Sequence, residues 1–189
     1  GSLEFDENVS LNTGHLHLKG FNGGIGSDKA PLDISVDNLT LSLADDAKAV
    51  YLREKEGVSL AGLDGGGLVD LRVEVGDLSQ TGAIKKENGA LLLNAVKGSI
   101  WLEDDANKIS VPVTLKAADN ATLHAIGNLL DAKVDAKHSI LKADGDIEVV
   151  VATEGWFERG QEINIEDIDK ISLYSGGSAS VAGRGGVSC

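Results

Sequence analysis

Residues 25–60 read IGSDKAPLDISVDNLTLSLADDAKAVYLREKEGVSL, and the order of apolar and polar residues within them decides the fold. Leu32, Ile34 and Val36 alternate with polar neighbours, as do Leu39, Leu41 and Leu43, then Val50 and Leu52, then Val58 and Leu60. A period of two marks a β-strand with one face buried and one in water. A few polar or Gly residues separate each run from the next, which leaves no room for helices between them. Strands this short and this closely spaced fit a sandwich, a barrel or a coil-by-coil solenoid, and repetition along the chain must choose among them.

The pattern continues outward from this stretch. Asn8 to Lys19 holds two alternating runs around Thr13-Gly14, with Leu16 and Leu18 on one side and His15 and His17 on the other. After the turn at Asp64 to Gly67, Leu71, Val73 and Val75 alternate with Asp70, Arg72 and Glu74, and the runs ALLLNA and GSIWL follow. Leu43-Ala44-Asp45-Asp46-Ala47-Lys48 is echoed by Leu102 to Lys108, each leading into a strand. Ile109, Val111, Val113 and Leu115 point inward around Pro112, which donates no ladder hydrogen bond and so marks an edge, a corner or a bulge. Residues 121–142 carry both a helical spacing and a strict alternation of Leu130, Ala132, Val134 and Ala136, and are read as strand. Strands are also expected at Asp146 to Ala152 and in QEINIE and KISLYS. The echo favours stacked coils, so the expectation is an all-β solenoid of short strands with Gly-rich corners over residues 5–174. Residues 1–4 read as a scar of expression cloning, and residues 175–189 as a Gly/Ser-rich tail, linker or the start of a further coil.

Composition narrows the function classes. The 189 residues lie within the size of one domain and carry a formal net charge of -13, the wrong sign for a nucleic-acid binder and for an anionic membrane surface. Apolar runs such as Leu91 to Leu93 fall far short of the roughly 20 residues of a membrane span. No charged start followed by an apolar signal region is present, so the chain is expected to be cytosolic or internal to a longer secreted protein. Cys189 is the single cysteine, so no intrachain disulfide staples the fold. Aromatics make up 4% and there are 24 glycines, which implies a thin aliphatic core with Gly at the corners.

Candidate sites are few. His15 and His17, two apart on one strand face, suit a transition metal, but a structural site needs four ligands and no others lie nearby; a solvated face is the plainer reading. Gly23-Gly24-Ile25-Gly26-Ser27-Asp28-Lys29-Ala30-Pro31 fits the calcium nonapeptide G-G-x-G-x-D-x-U-x, making Asp28 a calcium candidate. Such motifs work between successive coils and no second one follows, which favours a corner turn and makes calcium dispensable for folding. Trp156 and Phe157, in the loop Thr153 to Gly160, are candidate ligand-binding residues or a cover for a coil. Asp45-Asp46 and Asp104-Asp105 fall where neighbouring side chains diverge or are solvated. No nucleophile elbow, P-loop or C-x-x-C pattern occurs, and none of the four His has an evident nucleophile partner.

The run from Ile25-Gly26 through Pro31-Leu32, with Ile34-Ser35-Val36, Leu39-Thr40-Leu41, Val50-Tyr51-Leu52 and Val58-Ser59-Leu60, resembles repeats of large bacterial exoproteins related to filamentous haemagglutinin. The likeness extends from about Asn8 to Ile100. It implies a right-handed parallel β-helix in the stalk of a secreted or surface adhesin, without catalysis. The partners it implies are neighbouring coils of the same chain and a host or bacterial surface protein or glycan. A β-helix also hosts polysaccharide lyases and hydrolases, so a carbohydrate-active fragment using its Asp clusters for calcium or acid–base work is the alternative, alongside a calcium-stabilised repeat module; the sequence does not place Arg53, Arg72 or Arg159 on the outer face such a site needs.

Overall fold

The computed structural model describes residues 10–20, 23–151, 170–175 and 179–183. Every regular element among them is a strand. In chain order the first are β1 (Ser10–Lys19), β2 (Leu32–Ser42), β3 (Val50–Glu54), β4 (Val58–Asp64), β5 (Leu68–Val73), β6 (Leu78–Gln80), β7 (Ile84–Lys86) and β8 (Ala90–Ala95). They are followed by β9 (Ile100–Leu102), β10 (Lys108–Ile109), β11 (Val113–Ala117), β12 (Asn120–Ala125), β13 (Leu129–Asp135), β14 (His138–Ala143), β15 (Ile147–Val151), β16 (Lys170–Ser175) and β17 (Ala179–Gly183).

The strands pair in parallel, each with the strand one turn later, so the molecule is a parallel β-solenoid. Its first ladder runs β1, β2, β3, β5, β8, β11, β13, β15 and β17. The seven steps from β1 to β15 are seven turns, a rise of about 34 Å at ~4.8 Å per step. The second ladder runs through the later halves of β1 and β2, then β4, β6, β9, β12, β14 and β16. A short third ladder joins the end of β4 to β7 and β10.

Register stacks like on like. Leu32, Leu52, Leu71, Leu93, Leu115 and Val134 form one inward column of the first ladder, and each is at most 2% exposed. In the second, Val58, Leu78, Ile100 and Ala121 lie one above another. Full burial of each Leu or Ile contributes about 1.5–3 kcal/mol before chain entropy is set against it. Because the inward face takes every second residue, the alternation in sequence maps directly onto this core.

Three fully buried positions break the aliphatic pattern, and hydrogen bonds settle each of them. Glu54, fully buried, sits between Ile34 and Val73. Its carboxylate accepts from the N–H groups of Val36 at 2.9 Å, Lys55 at 2.9 Å and Glu56 at 3.1 Å. Burial pushes its carboxyl up, and those three donors pull it back. The fully buried Lys86 donates to the carbonyls of Gly65 at 3.0 Å, Gly67 at 2.5 Å and Asn88 at 2.6 Å. Asn107, also fully buried, exchanges amide hydrogen bonds with the half-buried Gln80, receives the N–H of Ile84 and donates to the carbonyl of His124.

Several sequence expectations are met. Residues 121–142 fall in β12, β13 and most of β14, joined by corners at 126–128 and 136–137, with no helix. Pro112 falls at a corner between β10 and β11, where its carbonyl accepts the N–H of Leu91 at 3.0 Å. The echoed segments are matching turns closed by Ala47 N–H to Ala44 O at 3.0 Å and Asn107 N–H to Asp104 O at 3.1 Å. KISLYS is β16, whereas QEINIE lies outside the described residues. Within the segment read as tail, Ala179–Gly183 is strand and pairs with β15.

Three expectations need correction. LDISV and LTLSL are one continuous strand, β2, which serves two ladders in succession. Val75 is not inward but 51% exposed, because β5 ends at Val73 and the chain turns through Gly76. Leu130 is 48% exposed and Leu129 takes the core position, because a register shift between Leu129 and Ala132 inserts a bulge with Asp131 at φ 56°.

Candidate ligand-binding groove on the outer face

The outward residues of the first ladder lie in columns as regular as the core. Tyr51 stacks over Asp70 and Leu92, and Arg53 over Arg72 and Asn94. The segment from Gly26 to Pro31 rises beside these columns and turns a flat sheet face into a groove of 380 Å³. Asp28, Tyr51, Arg53, Asp70, Arg72 and Asn94 are among the residues that line it.

The rim is held in place by local chemistry. Ile25 is fully buried and bridges to Val50, and its carbonyl accepts the N–H of Tyr51 at 2.8 Å. Gly26 has φ 63°, and a Cβ there would come within 2.9 Å of both the Leu32 nitrogen and the Tyr51 carbonyl oxygen, so only glycine fits. The Ser27 N–H donates to the Ala30 carbonyl at 2.9 Å, and the Ala30 N–H returns to Ser27 O and Oγ at 3.1 Å each.

Charge in the groove is arranged in pairs. Arg53 grips Asp33 through Nε at 2.6 Å and Nη2 at 2.9 Å, and this fork holds the Asp33 carboxyl below its usual range. Arg72 reaches Glu74 through Nε at 2.8 Å and Nη2 at 3.3 Å. Asp70 has no such partner among the described residues: partial burial pushes its carboxyl up, the Asp28 charge adds to the push, and Arg72 opposes it.

The structure places the sequence candidates as follows. Asp28 lies exposed on the rim, across from Asp70. Among the described residues no three His, Cys, Asp or Glu side chains gather to hold a metal ion. His15 and His17 point outward from β1, and each meets a hydroxyl of the next turn, Thr40 at 3.2 Å and Ser42 at 3.0 Å. A serine partner for His17 therefore exists although sequence spacing hid it, in an exposed pair where no further hydrogen bond from the described residues orients the ring. Asp45 and Asp46 are exposed turn residues, while Asp105 bonds Lys142 at 2.9 Å and His124 at 3.1 Å. Arg53 and Arg72 share one outer face. Trp156, Phe157 and Arg159 lie outside the described residues.

Sequence reasoning missed Asp70 and Asn94 as companions of Tyr51 and Arg53. A signal for the first was present: V-Y-L-R at 50–53 and V-D-L-R at 69–72 are the same phrase one turn apart. No protein family matches this chain, and neither a curated protein nor a solved structure matches it.

Proposed function

We propose that the chain is a structural and adhesive stalk segment of a large secreted or cell-surface bacterial protein, of the kind built from filamentous-haemagglutinin-like repeats. The observation that carries this reading is the sameness of the turns. Seven successive steps reuse one plan, aliphatic columns inside and polar columns outside. Such a stack extends by adding turns, and each turn is stabilised by its neighbours on either side. Among the described residues no helix is long and apolar enough to cross a membrane, and the proposed partners are further coils and a surface protein or glycan. The test is to read the gene outward on both sides. Further period-two runs at similar spacing, with Gly at the corners and a secretion domain at the start of the frame, are expected. A reading frame that closes within one turn of these residues, or continues into an unrelated enzyme, contradicts the stalk.

One observation favours a second reading, a carbohydrate-active β-helix enzyme: Asp28, Asp70, Arg53 and Arg72 meet in one outer groove. Incubation with acidic and neutral polysaccharides separates the two. The stalk reading expects no new reducing ends and no unsaturated uronide absorbance, and the enzyme reading requires one of them.

A further inference from the structure

The groove beside the turn at residues 26–31 collects hydrogen-bonding capacity that the described residues leave unused. The side chains of Tyr51, Asp70 and Asn94 line it, and none of them bonds another described residue. Arg53 and Arg72 are fixed by their carboxylate partners through Nε and Nη2, and among the described residues Nη1 of each has no acceptor and can donate to a ligand. Its charges nearly cancel, with Asp28, Asp70, Glu74 and the Asp33 gripped by Arg53 set against Lys29, Arg53 and Arg72, in a chain whose net charge is -13.

This chemistry narrows the ligand. An anion meets two carboxylates, with the nearby guanidinium charges already neutralised. A cation meets the Lys29 ammonium, and among the described residues no third carboxylate joins Asp28 and Asp70 to complete a ligand set. An apolar molecule strips water from polar atoms and returns no hydrogen bonds, which is costly. An uncharged polyol suffers none of these penalties. Adjacent hydroxyls match the paired donors and acceptors of carboxylate, amide and guanidinium, and the C–H face of a sugar ring packs on an aromatic face such as that of Tyr51. The 380 Å³ of the groove lies in the lower part of the roughly 300–1,000 Å³ range of small-molecule sites. The pinned rim and the sheet floor reduce the ordering cost of binding.

We propose that this groove is a binding site for a short stretch of uncharged oligosaccharide, with Tyr51 as the platform and Asp70, Asn94 and Arg72 as the hydroxyl-reading groups. The proposal rests on the adhesive reading and names its ligand class. Its failure leaves the stalk standing, since flanking coils test that separately.

The test is an amide-resolved NMR titration of the full 189-residue chain with cellotetraose, maltotetraose and mannotetraose, and with a heparin tetrasaccharide as the anionic probe. At least one neutral probe should give saturable shifts confined to residues 28–31, 51–53, 70–72 and 92–94. Tyr51→Ala and Asp70→Ala should each weaken its Kd by about tenfold or more, with the spectrum unchanged outside the groove. If Tyr51→Ala loses the native spectrum, Asp70→Ala and Asn94→Ala, both at outward positions, decide the matter. The proposal is overturned if no neutral probe shifts these amides, if only the heparin fragment does, or if binding is undiminished in the folded variants.

Discussion

Lys86 stands where an aliphatic side chain is expected, on the inward phase of β7 above Ile109. Three carbonyl oxygens surround its ammonium and no carboxylate is bonded to it, so burial lowers its pKa to about 8. In the unfolded chain the same group titrates near its ordinary 10.5. Between these values the unfolded state holds a proton that the folded state has released, so this residue adds stability as pH rises through the window, by at most about 1.4 kcal/mol per unit. Lys86→Met should cost about 1–3 kcal/mol at neutral pH, because the carbonyls of the Gly65 to Gly67 turn lose their donor. The deficit should widen between pH ~8 and ~10. Denaturant melts of both proteins across that range check it, and a deficit independent of pH would show that the ammonium stays charged. Glu54 and Lys86 were legible as inward residues, since Val50, Leu52 and Glu54 share one phase and Ile84 and Lys86 share another. Their partners were not legible, because Val36 N–H and the Gly65 carbonyl are supplied by neighbouring turns. Asn107 lies in a turn, where no periodicity exists to signal its burial.

At the scale of the element, corners and bulges decide which residues face the core. Gly89 has φ 85°, and a Cβ on it would lie 1.9 Å from the Gly67 carbonyl oxygen, so the glycines of adjacent turns stack as a seam. Such a seam is visible in sequence as Gly-rich punctuation, and it located the corners well. The bulge in β13 left no comparable mark. Leu129 and Leu130 are adjacent and identical in type, and strict alternation from Ala132 backward selects Leu130. The structure selects Leu129, because Asp131 adopts a left-handed conformation that an Asp side chain tolerates and so shifts the phase by one residue. Leu129→Ala should therefore cost about 2–5 kcal/mol. Leu130→Ala should stay within about 0.5 kcal/mol of the parent. Chemical denaturation of the two variants checks the assignment, and a reversed order would restore the unbulged register.

The whole molecule is a pile of turns in which sequence distance converts to height. The aliphatic columns and the all-β class were legible because inward residues obey the period of two except at the irregularities in β4 and β13, and the likeness between V-Y-L-R and V-D-L-R records the length of one turn. The groove was legible only in part. Its rim motif stands out in sequence as a corner turn with Asp28 as a calcium candidate, but the floor, made of outward residues from three turns, is assembled only when the turns stack. In-register parallel stacking is thus the claim on which core, corners and groove depend. Asp33, Arg53, Arg72, Asn94, Lys116 and Asp135 lie in one outward column, five steps from first to last, which places the end residues about 24 Å apart at ~4.8 Å per step. Nitroxides on Asp33→Cys and Asp135→Cys, in a Cys189→Ser background, probe that height directly by double electron–electron resonance. A single narrow distribution centred near 24 Å, widened by a few ångströms of linker freedom, is the outcome expected of the stacked column. A broad distribution, or one centred well away from that value, would contradict the parallel solenoid.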